Sequence, residues 1–197
     1  MSKTKRNRNG TRKEVIISKA AKLFREKGFS ASSMRDLAEH VGVEAASLYN
    51  HISSKAEILQ EICFRVATRF IQHIEEVDTK DLNSIKKIEA ILRFHIREMV
   101  ENYEEVYVSD REWKHLTEPY LANMQGQRRA YRQRIASIIQ KGIDNKEIKA
   151  IDAPTAVLIM LHAISGIESW HRSKKKITPE ALEHNMIVIL TDGLRAD

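Results

Sequence analysis

Apolar side chains recur every three or four residues along nearly the whole chain, and this spacing is the strongest limit on its fold. One such run begins at Ile58, Ile62 and Val66 and continues to Val77, long enough for a helix of some twenty residues. Only seven glycines and three prolines are available for turns, which disfavours an all-β sandwich or barrel. Because no segment shows a strand pattern, we predict an all-α protein of about nine helices.

Positive charge is concentrated at the N-terminal end. The formal net charge is +6, and residues 1–60 hold 12 Lys and Arg against 6 Asp and Glu, whereas the remaining residues hold 21 of each kind. A basic end on a neutral body indicates that a polyanion binds there. The alternative is a solvated basic leader that binds nothing.

The N-terminal third also contains the spacing of a helix-turn-helix. A first helix ends at Lys27-Gly28, Ser33 and Asp36 form a capping box for a second, and Gly42 separates that helix from a third at residues 43–50. Ala38 is small enough for close helix crossing, and the pins that hold the helices together are Leu37, Val43 and Leu48. An ordinary helical corner has similar spacing, but the localised charge favours DNA binding.

Four segments carry a more specific pattern: AAKLFREKGF at 20–29, MRDLA at 34–38, VGV at 41–43 and LYNH at 48–51, followed by Ser54-Lys55 and Leu59. Over about 50 continuous residues they resemble the N-terminal domain of TetR-type (TetR/AcrR) transcriptional repressors. The resemblance implies a three-helix DNA-binding head followed by an α-helical ligand-binding and dimerisation bundle. We therefore divide the chain into a flexible basic arm (1–11), a helix-turn-helix domain (12–56) and a ligand-binding and dimerisation domain (57–197).

The same resemblance implies which residues contact DNA. Tyr49, Asn50 or His51, and Lys55 match positions that hold phosphates, and Ser33 and Arg35 match positions that touch the backbone or a base. The base-reading stretch begins with Glu44, Ala45, Ala46 and Ser47; the alanines can contact a thymine methyl group, and the serine can hydrogen-bond to several bases. Two positions depart from the family pattern. Phosphates repel the Glu44 carboxylate, which can accept from a cytosine amine, and Ile52 replaces a usual Phe in the core. For Tyr49 and Lys55 the alternatives are packing on the fourth helix and plain solvation.

A protein of this type is expected to be a homodimer that reads two half-sites roughly 34–36 Å apart on a double-stranded DNA operator. The last two helices supply the candidate interface residues Leu158, Leu161, Ile164, Ile167, Leu190 and Leu194. Those side chains are equally consistent with a monomer core, so the resemblance is what favours the interface.

The expected effector is a small apolar molecule, bound among large apolar residues with a few polar ones. The candidates are Phe94, His95, Met99, Trp113, Tyr131, His162 and Trp170, each of which can also be plain core. Residues 131–148 and Trp170-His171-Arg172 resemble acyl-CoA-responsive members of the family. A basic cluster suited to coenzyme A phosphates comprises Arg128, Arg129, Arg132 and Arg134.

Other classes are disfavoured by what the sequence lacks. Cys63 is the single cysteine, the eight histidines have no chelating spacing, and no nucleophile-elbow, phosphate-loop or zinc-protease motif occurs, so we predict neither an enzyme nor a metal or cofactor. Without a signal peptide or an 18-residue apolar stretch, a cytoplasmic protein without membrane contact is expected. The hypotheses left open are a repressor released by an acyl-CoA, a drug or xenobiotic sensor controlling efflux, and a DNA-binding protein without an effector.

Overall fold

The structure, a computed structural model, describes residues 8–173 and 177–194, with the backbone alone described for residues 8–11 and Ala45. In this part of the chain it contains ten α-helices and one short 3-10 helix, Trp113–His115, which confirms the all-α prediction. The α-helices are α1 (Arg8–Lys27), α2 (Met34–Val41), α3 (Ala45–Tyr49), α4 (Lys55–Thr79), α5 (Ser84–Glu101), α6 (Tyr103–Arg111), α7 (Tyr120–Asp144), α8 (Ala153–Ser165), α9 (Ile167–Arg172) and α10 (Pro179–Asp192).

Helix boundaries follow the local chemistry expected from the sequence. Asp152 and Thr178 cap α8 and α10 by accepting from backbone N–H groups three residues on, and a proline occupies the first turn of each helix. Ser54 caps α4, because its hydroxyl oxygen accepts from the N–H of Glu57 at 3.1 Å. One difference is at the N-terminus: α1 begins at Arg8, inside the segment expected to be a flexible arm, and residues 1–7 of that arm lie outside the described residues.

The chain divides into two compact units. Unit 1 comprises the residues up to Ala67 together with Glu104–Met124, and unit 2 comprises Thr68–Tyr103 together with the residues from Gln125 onward. The sequence-based division assigned residues 57–197 to a single domain. The structure instead groups α6, the 3-10 helix and the start of α7 with the N-terminal helices, because their apolar side chains share one core.

The core of unit 1 combines α1, the short helices and the first half of α4. Its fully buried side chains include Phe24, Leu37, Leu48 and Ile52, so the Ile that replaces the usual Phe lies in the core as expected. Val108 and Leu116, from the returning segment 104–124, complete the same cluster. In this way the apolar faces of short helices that would be unstable alone are buried together.

Unit 2 is organised around α5, which contacts α8, α9 and α10. Besides apolar packing, α10 is tied to α5 by charge. Glu183 accepts from Arg93 at 2.7 Å and from Arg97 at 2.8 Å, and Glu89 on α5 also pairs with Arg93 at 2.8 Å. This network holds the last described helix against the centre of the unit.

Two glycines of α7 are expected to respond oppositely to alanine substitution. A Cβ at Gly142 would lie 2.6 Å from Ile148 Cδ1 and 2.8 Å from Ser84 Cβ, whereas one at Gly126 would meet nothing within 4 Å. Overpacking costs about 1–3 kcal/mol and outweighs the helix gain of about 1 kcal/mol. Gly142→Ala should therefore lower the thermal unfolding temperature and Gly126→Ala should raise it. Equal shifts for both variants would contradict the close contact.

None of the described helices combines the length and the apolar character needed to cross a membrane.

Candidate functional site

The helix-turn-helix is held by two backbone devices. At its start Ser33 caps α2: Ser33 Oγ accepts from the Asp36 N–H at 3.1 Å, and Asp36 accepts from the Ser33 N–H at 2.9 Å. At its end Gly42 adopts φ +80°, which only glycine adopts without strain, and donates to Ala38 O at 2.9 Å. Val43 N–H donates to the same carbonyl at 3.0 Å. Gly42 N–H also donates to Glu39 O at 3.1 Å, so the turn into α3 is hydrogen-bonded to the last turn of α2.

Most residues expected to contact DNA are exposed on this motif. Tyr49 is 53% exposed, so its ring is not packed away against a neighbouring helix. Ser33, Arg35, Glu44, Ala46 and Asn50 are also exposed, while Ser47 and His51 are half-buried. The side chain of Ala45 lies outside the described residues. Between these positions Leu48 is fully buried, so α3 turns one face to the core and the other outward.

Ser33 is occupied by the capping box. Its N–H and its hydroxyl both donate to the Asp36 carboxylate, which also accepts from Lys27 Nζ at 2.9 Å. Hydrogen bonds from Ser33, then from Lys27, hold the pKa of Asp36 well below its ordinary value. Since phosphate oxygens only accept hydrogen bonds, Ser33 would have to leave Asp36 to donate to one. Capping α2 is the role that the structure gives this serine.

Lys55 is also occupied, which differs from the phosphate contact expected from the sequence. Its ammonium group donates to Ser32 O at 2.8 Å, to Phe29 O at 2.9 Å and to Ser30 O at 3.4 Å. The structure therefore places this cation on the loop between α1 and α2. The exposed cations of the unit include Arg12 and Lys22 on α1 and Arg35 on α2.

Both α8 and α10 carry exposed aliphatic side chains, which we call together the exposed apolar face. Leu158 and Ile159 are 56% and 59% exposed, and on α10 Val188 and Ile189 are 42% and 71% exposed. Of the side chains expected at a dimer interface, only Leu158 belongs to this face. Ile164, Ile167 and Leu194 are buried within the chain, so these three are corrected to core positions. Leu161 and Leu190 are half-buried and stay candidates for the interface.

Three of the residues expected to bind a ligand meet in unit 2. His95 Nε2 and the Tyr131 hydroxyl are 2.7 Å apart, and Phe94 lies beside them on α5. Phe70, from α4, makes edge contacts with Phe94, His95 and Tyr131 at centroid distances of 5.2, 4.6 and 6.1 Å. Burial raises the pKa of the Tyr131 phenol far above its ordinary value, so the phenol stays neutral and can act as a hydrogen-bond donor.

His73 joins this aromatic cluster and was missed by sequence reasoning. Its ring stacks on Phe94 at 4.0 Å, and its buried Nδ1 has no hydrogen-bond partner among the described residues. The signal was available, because His73 lies three residues after Phe70 and therefore on the same face of α4. We call Phe70, His73, Phe94, His95 and Tyr131 the aromatic cluster.

The other expected ligand residues do not lie in it. Trp113 is in the 3-10 helix and packs on the core of unit 1. His162 is exposed, with Nδ1 2.8 Å from Leu158 O in its own helix. Met99 is buried, and its carbonyl lies 2.7 Å from His171 Nε2. Trp170 is half-buried and donates through Nε1 to Ile177 O at 2.9 Å. These contacts all lie outside the aromatic cluster.

The arginines of α7 divide in the same way. Arg134 pairs with Asp78 and lies 3.6 Å from Glu75, so its charge is used within unit 2. Arg129 and Arg132 are exposed, and Arg128 is half-buried. Only part of the basic cluster therefore faces solvent.

Burial of His73 makes a pH dependence expected. Burial lowers the pKa of His73 below its ordinary value of 6.5, with Glu76 opposing and Lys80 adding to the shift. As the pH falls through 6.5, the His73 imidazole takes up a proton in the unfolded chain, whereas in the folded chain it does so only at lower pH. Protonation therefore favours the unfolded state. The contribution of neutral His73 to the free energy of unfolding is fully present above pH 6.5 and is lost as the pH falls below it. The unfolding temperature should fall less between pH 7.5 and 5.5 in His73→Gln than in the wild type. His162→Gln, which changes an exposed histidine, is the control. If it reduced the pH-dependent fall in unfolding temperature as much as His73→Gln does, the effect would not come from the burial of His73.

Comparison with known families assigns both parts of the chain. Residues 16–62 match the family described as bacterial regulatory proteins, tetR family, and residues 81–194 match the tetracyclin repressor-like C-terminal domain. The second match alone covers more than half of the chain.

Individual relatives agree with this assignment. The chain is 30% identical to the biofilm operon icaADBC HTH-type negative transcriptional regulator IcaR of Staphylococcus aureus, over 81% of this chain and 82% of IcaR. It is 24% identical to the HTH-type transcriptional repressor KstR2 of Rhodococcus jostii, over 93% and 91% of the two chains.

Solved structures show the same fold. The ketosteroid transcriptional regulator KstR2 of Mycobacterium tuberculosis superposes with a TM-score of 0.86 at 18% identity, covering 98% of both chains. AibR, solved in complex with isovaleryl coenzyme A and operator DNA, superposes with a TM-score of 0.79 at 21% identity, covering 91% of this chain and 98% of AibR. From the two family matches and these relatives, the chain is a member of the TetR family of transcriptional regulators.

Proposed function

We propose that the protein is a homodimeric repressor that binds a palindromic operator and is released from it by an acyl-CoA. The observation that carries the DNA-binding part is the outward face of α3, where Ala46, Tyr49 and Asn50 are exposed while Leu48 anchors the helix. A helix held in this way behind a tight turn fits the major groove. The repressor role is supported by the names of IcaR and KstR2.

Phosphate contacts in this proposal come from exposed groups. Arg35 at the start of α2 and Tyr49 with Asn50 at the end of α3 flank the base-reading residues Ala46 and Ser47. Arginine neutralises phosphate charge, and hydroxyl and amide groups donate to phosphate oxygens. Glu44 is exposed and makes no capping hydrogen bond, so its carboxylate is available to a cytosine amine.

The dimer is proposed to form through the exposed apolar face on α8 and α10. Leu158 and Ile159 are neighbours on α8, as are Val188 and Ile189 on α10, and such groups of exposed aliphatic side chains are typical of an interface rather than of a solvated surface. A two-fold dimer presents two copies of α3, which matches two half-sites of a palindrome.

The aromatic cluster is the proposed effector site. Phe70 and Phe94 supply apolar walls, while the His95–Tyr131 pair and His73 Nδ1 supply polar atoms that can orient a carbonyl. The complex of AibR with isovaleryl coenzyme A supports an acyl-CoA as the class of effector. Exposed Arg129 and Arg132 supply charge suited to its phosphates.

The test uses the palindromic site that the full-length protein enriches from random DNA. Operator binding, followed by fluorescence anisotropy between 50 and 200 mM salt, should weaken about 10³–10⁵-fold if six to ten phosphates are contacted. A flat response would contradict electrostatic DNA binding.

Effector release is then measured at fixed salt with isovaleryl-CoA and longer acyl-CoAs. Free coenzyme A, the free acids and a hydrophobic cationic drug are the comparison compounds. Acyl-CoAs should release the protein from the operator, and the comparison compounds should not. An effector causes release only if it binds the DNA-free protein more tightly than the DNA-bound protein. Release by the drug alone would favour a xenobiotic sensor, and no release by any compound would favour an effector-independent protein.

A further inference from the structure

The loop between α1 and α2, residues 28–32, has a fixed shape. Gly28 adopts φ +82° and its N–H donates to Phe24 O at 2.8 Å, which ends α1. Phe29 then turns into the core, and its ring meets the edge of Phe24 at 5.3 Å. Ser32 is buried and its hydroxyl donates to Gly28 O at 2.7 Å, closing the loop on itself. The carbonyls of Phe29, Ser30 and Ser32 thereby converge on one point.

Lys55 occupies that point. An ammonium group has three N–H donors, and three loop carbonyls lie within hydrogen-bonding distance of Lys55 Nζ. The same nitrogen is 4.5 Å from the centre of the Phe29 ring, close enough for a cation–π contact. While the loop keeps this shape, the ammonium group of Lys55 has no N–H left to donate to a phosphate.

His115 holds the same loop from the returning segment 104–124. Its ring stacks on Phe29 with the centroids 5.5 Å apart, and its Nε2 lies 3.5 Å from Ser30 Oγ. On its own segment, Nε2 lies 3.4 Å from a carboxylate oxygen of Glu112. Phe29 is thus contacted by residues from two distant parts of the chain.

We propose that Lys55 and His115 form a latch on the α1–α2 loop, and that Lys55 raises operator affinity by positioning α2 and α3 instead of neutralising a phosphate. The loop leads directly into Ser33, the cap of α2. At the other end of α2, the carbonyl of Ala38 accepts from the N–H groups of Gly42 and Val43 in the turn to α3. A displacement of residues 28–32 therefore moves the start of α2, and α2 transmits it to α3 through the turn at Gly42 and the hydrogen bonds to Ala38 O.

This inference rests on the proposed DNA binding, and salt dependence separates the two. Each phosphate contact contributes about 0.9 to the slope of log affinity against log salt, so the loss of one contact in each protomer of a dimer lowers the slope by about 1.8. If the operator affinity of the wild-type protein did not depend on salt concentration, the proposed function itself would be contradicted. With a wild-type slope in hand, the Lys55 variants test the latch alone.

The decisive variants are Lys55→Met and Lys55→Arg in the full-length protein. The latch predicts at least about tenfold weaker operator binding by Lys55→Met with an unchanged slope. It also predicts weaker binding by Lys55→Arg, because a planar guanidinium does not reproduce the three converging bonds of an ammonium group. A slope lowered by about 1.8 in Lys55→Met, or wild-type affinity in Lys55→Arg, would overturn the proposal. Arg35→Gln, which removes an exposed cation, should show the lowered slope.

His115 provides a second, independent measurement. His115→Ala removes the ring from Phe29 without removing a lysine or arginine, and the latch predicts severalfold weaker operator binding with the wild-type slope. His115→Phe keeps a stacked ring and should recover part of that loss. Wild-type affinity in His115→Ala would overturn the part of the latch formed by the returning segment.

Discussion

Ile189→Asp is expected to leave the protein monomeric and to weaken binding to a palindromic operator by about 10²–10⁴-fold. Ile189 is the most exposed large apolar side chain among the described residues, at 71%, so the substitution removes little from the core of its own chain. A carboxylate buried between two copies of α10 would lack a compensating charge, which strongly opposes association. The loss of operator affinity follows because two linked half-site contacts become one.

Sedimentation equilibrium would measure the mass, and fluorescence anisotropy the operator affinity. Leu82→Asp is the matched control, because it places the same charge at an exposed aliphatic position in the loop before α5, on neither α8 nor α10. It should remain dimeric and bind like the wild type. A dimeric Ile189→Asp protein would contradict the interface on α8 and α10.

The second large effect separates the two faces of α3. Leu48→Ala should lower the free energy of unfolding by about 2–5 kcal/mol, because the fully buried leucine leaves a cavity between α3 and the core. Tyr49→Ala, one position along, should change that free energy by no more than about 0.5 kcal/mol, because its ring is exposed. It should nevertheless weaken operator binding about 10- to 100-fold, because the dimer loses one hydrogen bond to a phosphate in each half-site.

Urea unfolding and operator titration of the two variants give the comparison. Leu48→Ala is titrated with the operator at a temperature where it remains folded. Any loss of its DNA binding can then be separated from unfolding. If Tyr49→Ala unfolds as readily as Leu48→Ala, the ring is part of the core. If it binds DNA like the wild type, the ring contributes nothing to the interface.

Structural features that depend only on residues close together in the sequence were predictable. The Ser33–Asp36 capping box and the glycine turns at Gly28 and Gly42 are local devices, and the structure contains all of them. Phe94, His95 and Tyr131 were chosen as large apolar residues with interspersed polar ones, and in the structure His95 contacts Tyr131 beside Phe94. His73 was missed although it shares a face of α4 with Phe70, because that spacing does not show that Phe94 and Tyr131 pack against the same face.

Residues whose environment is set by distant segments were not predictable. The mostly apolar α8 offers no polar face to orient it, so periodicity did not distinguish the exposed Leu158 and Ile159 from the buried Ile164. The family resemblance implied a phosphate contact for Lys55, and the loop carbonyls that it contacts were not foreseen because they lie more than twenty residues earlier in the chain. The grouping of residues 104–124 with the N-terminal helices likewise depends on which cores they complete.

By itself, then, the amino-acid sequence determined the helices, their caps and the family to which the chain belongs, because these depend on spacing and on chemistry within a few residues. Only the tertiary structure decided which apolar side chains are left exposed on α8 and α10 and which cation is held by a loop. The physical reason is that burial and hydrogen bonding are settled by partners far away in the chain, and one helix does not encode the surface that another presents to it.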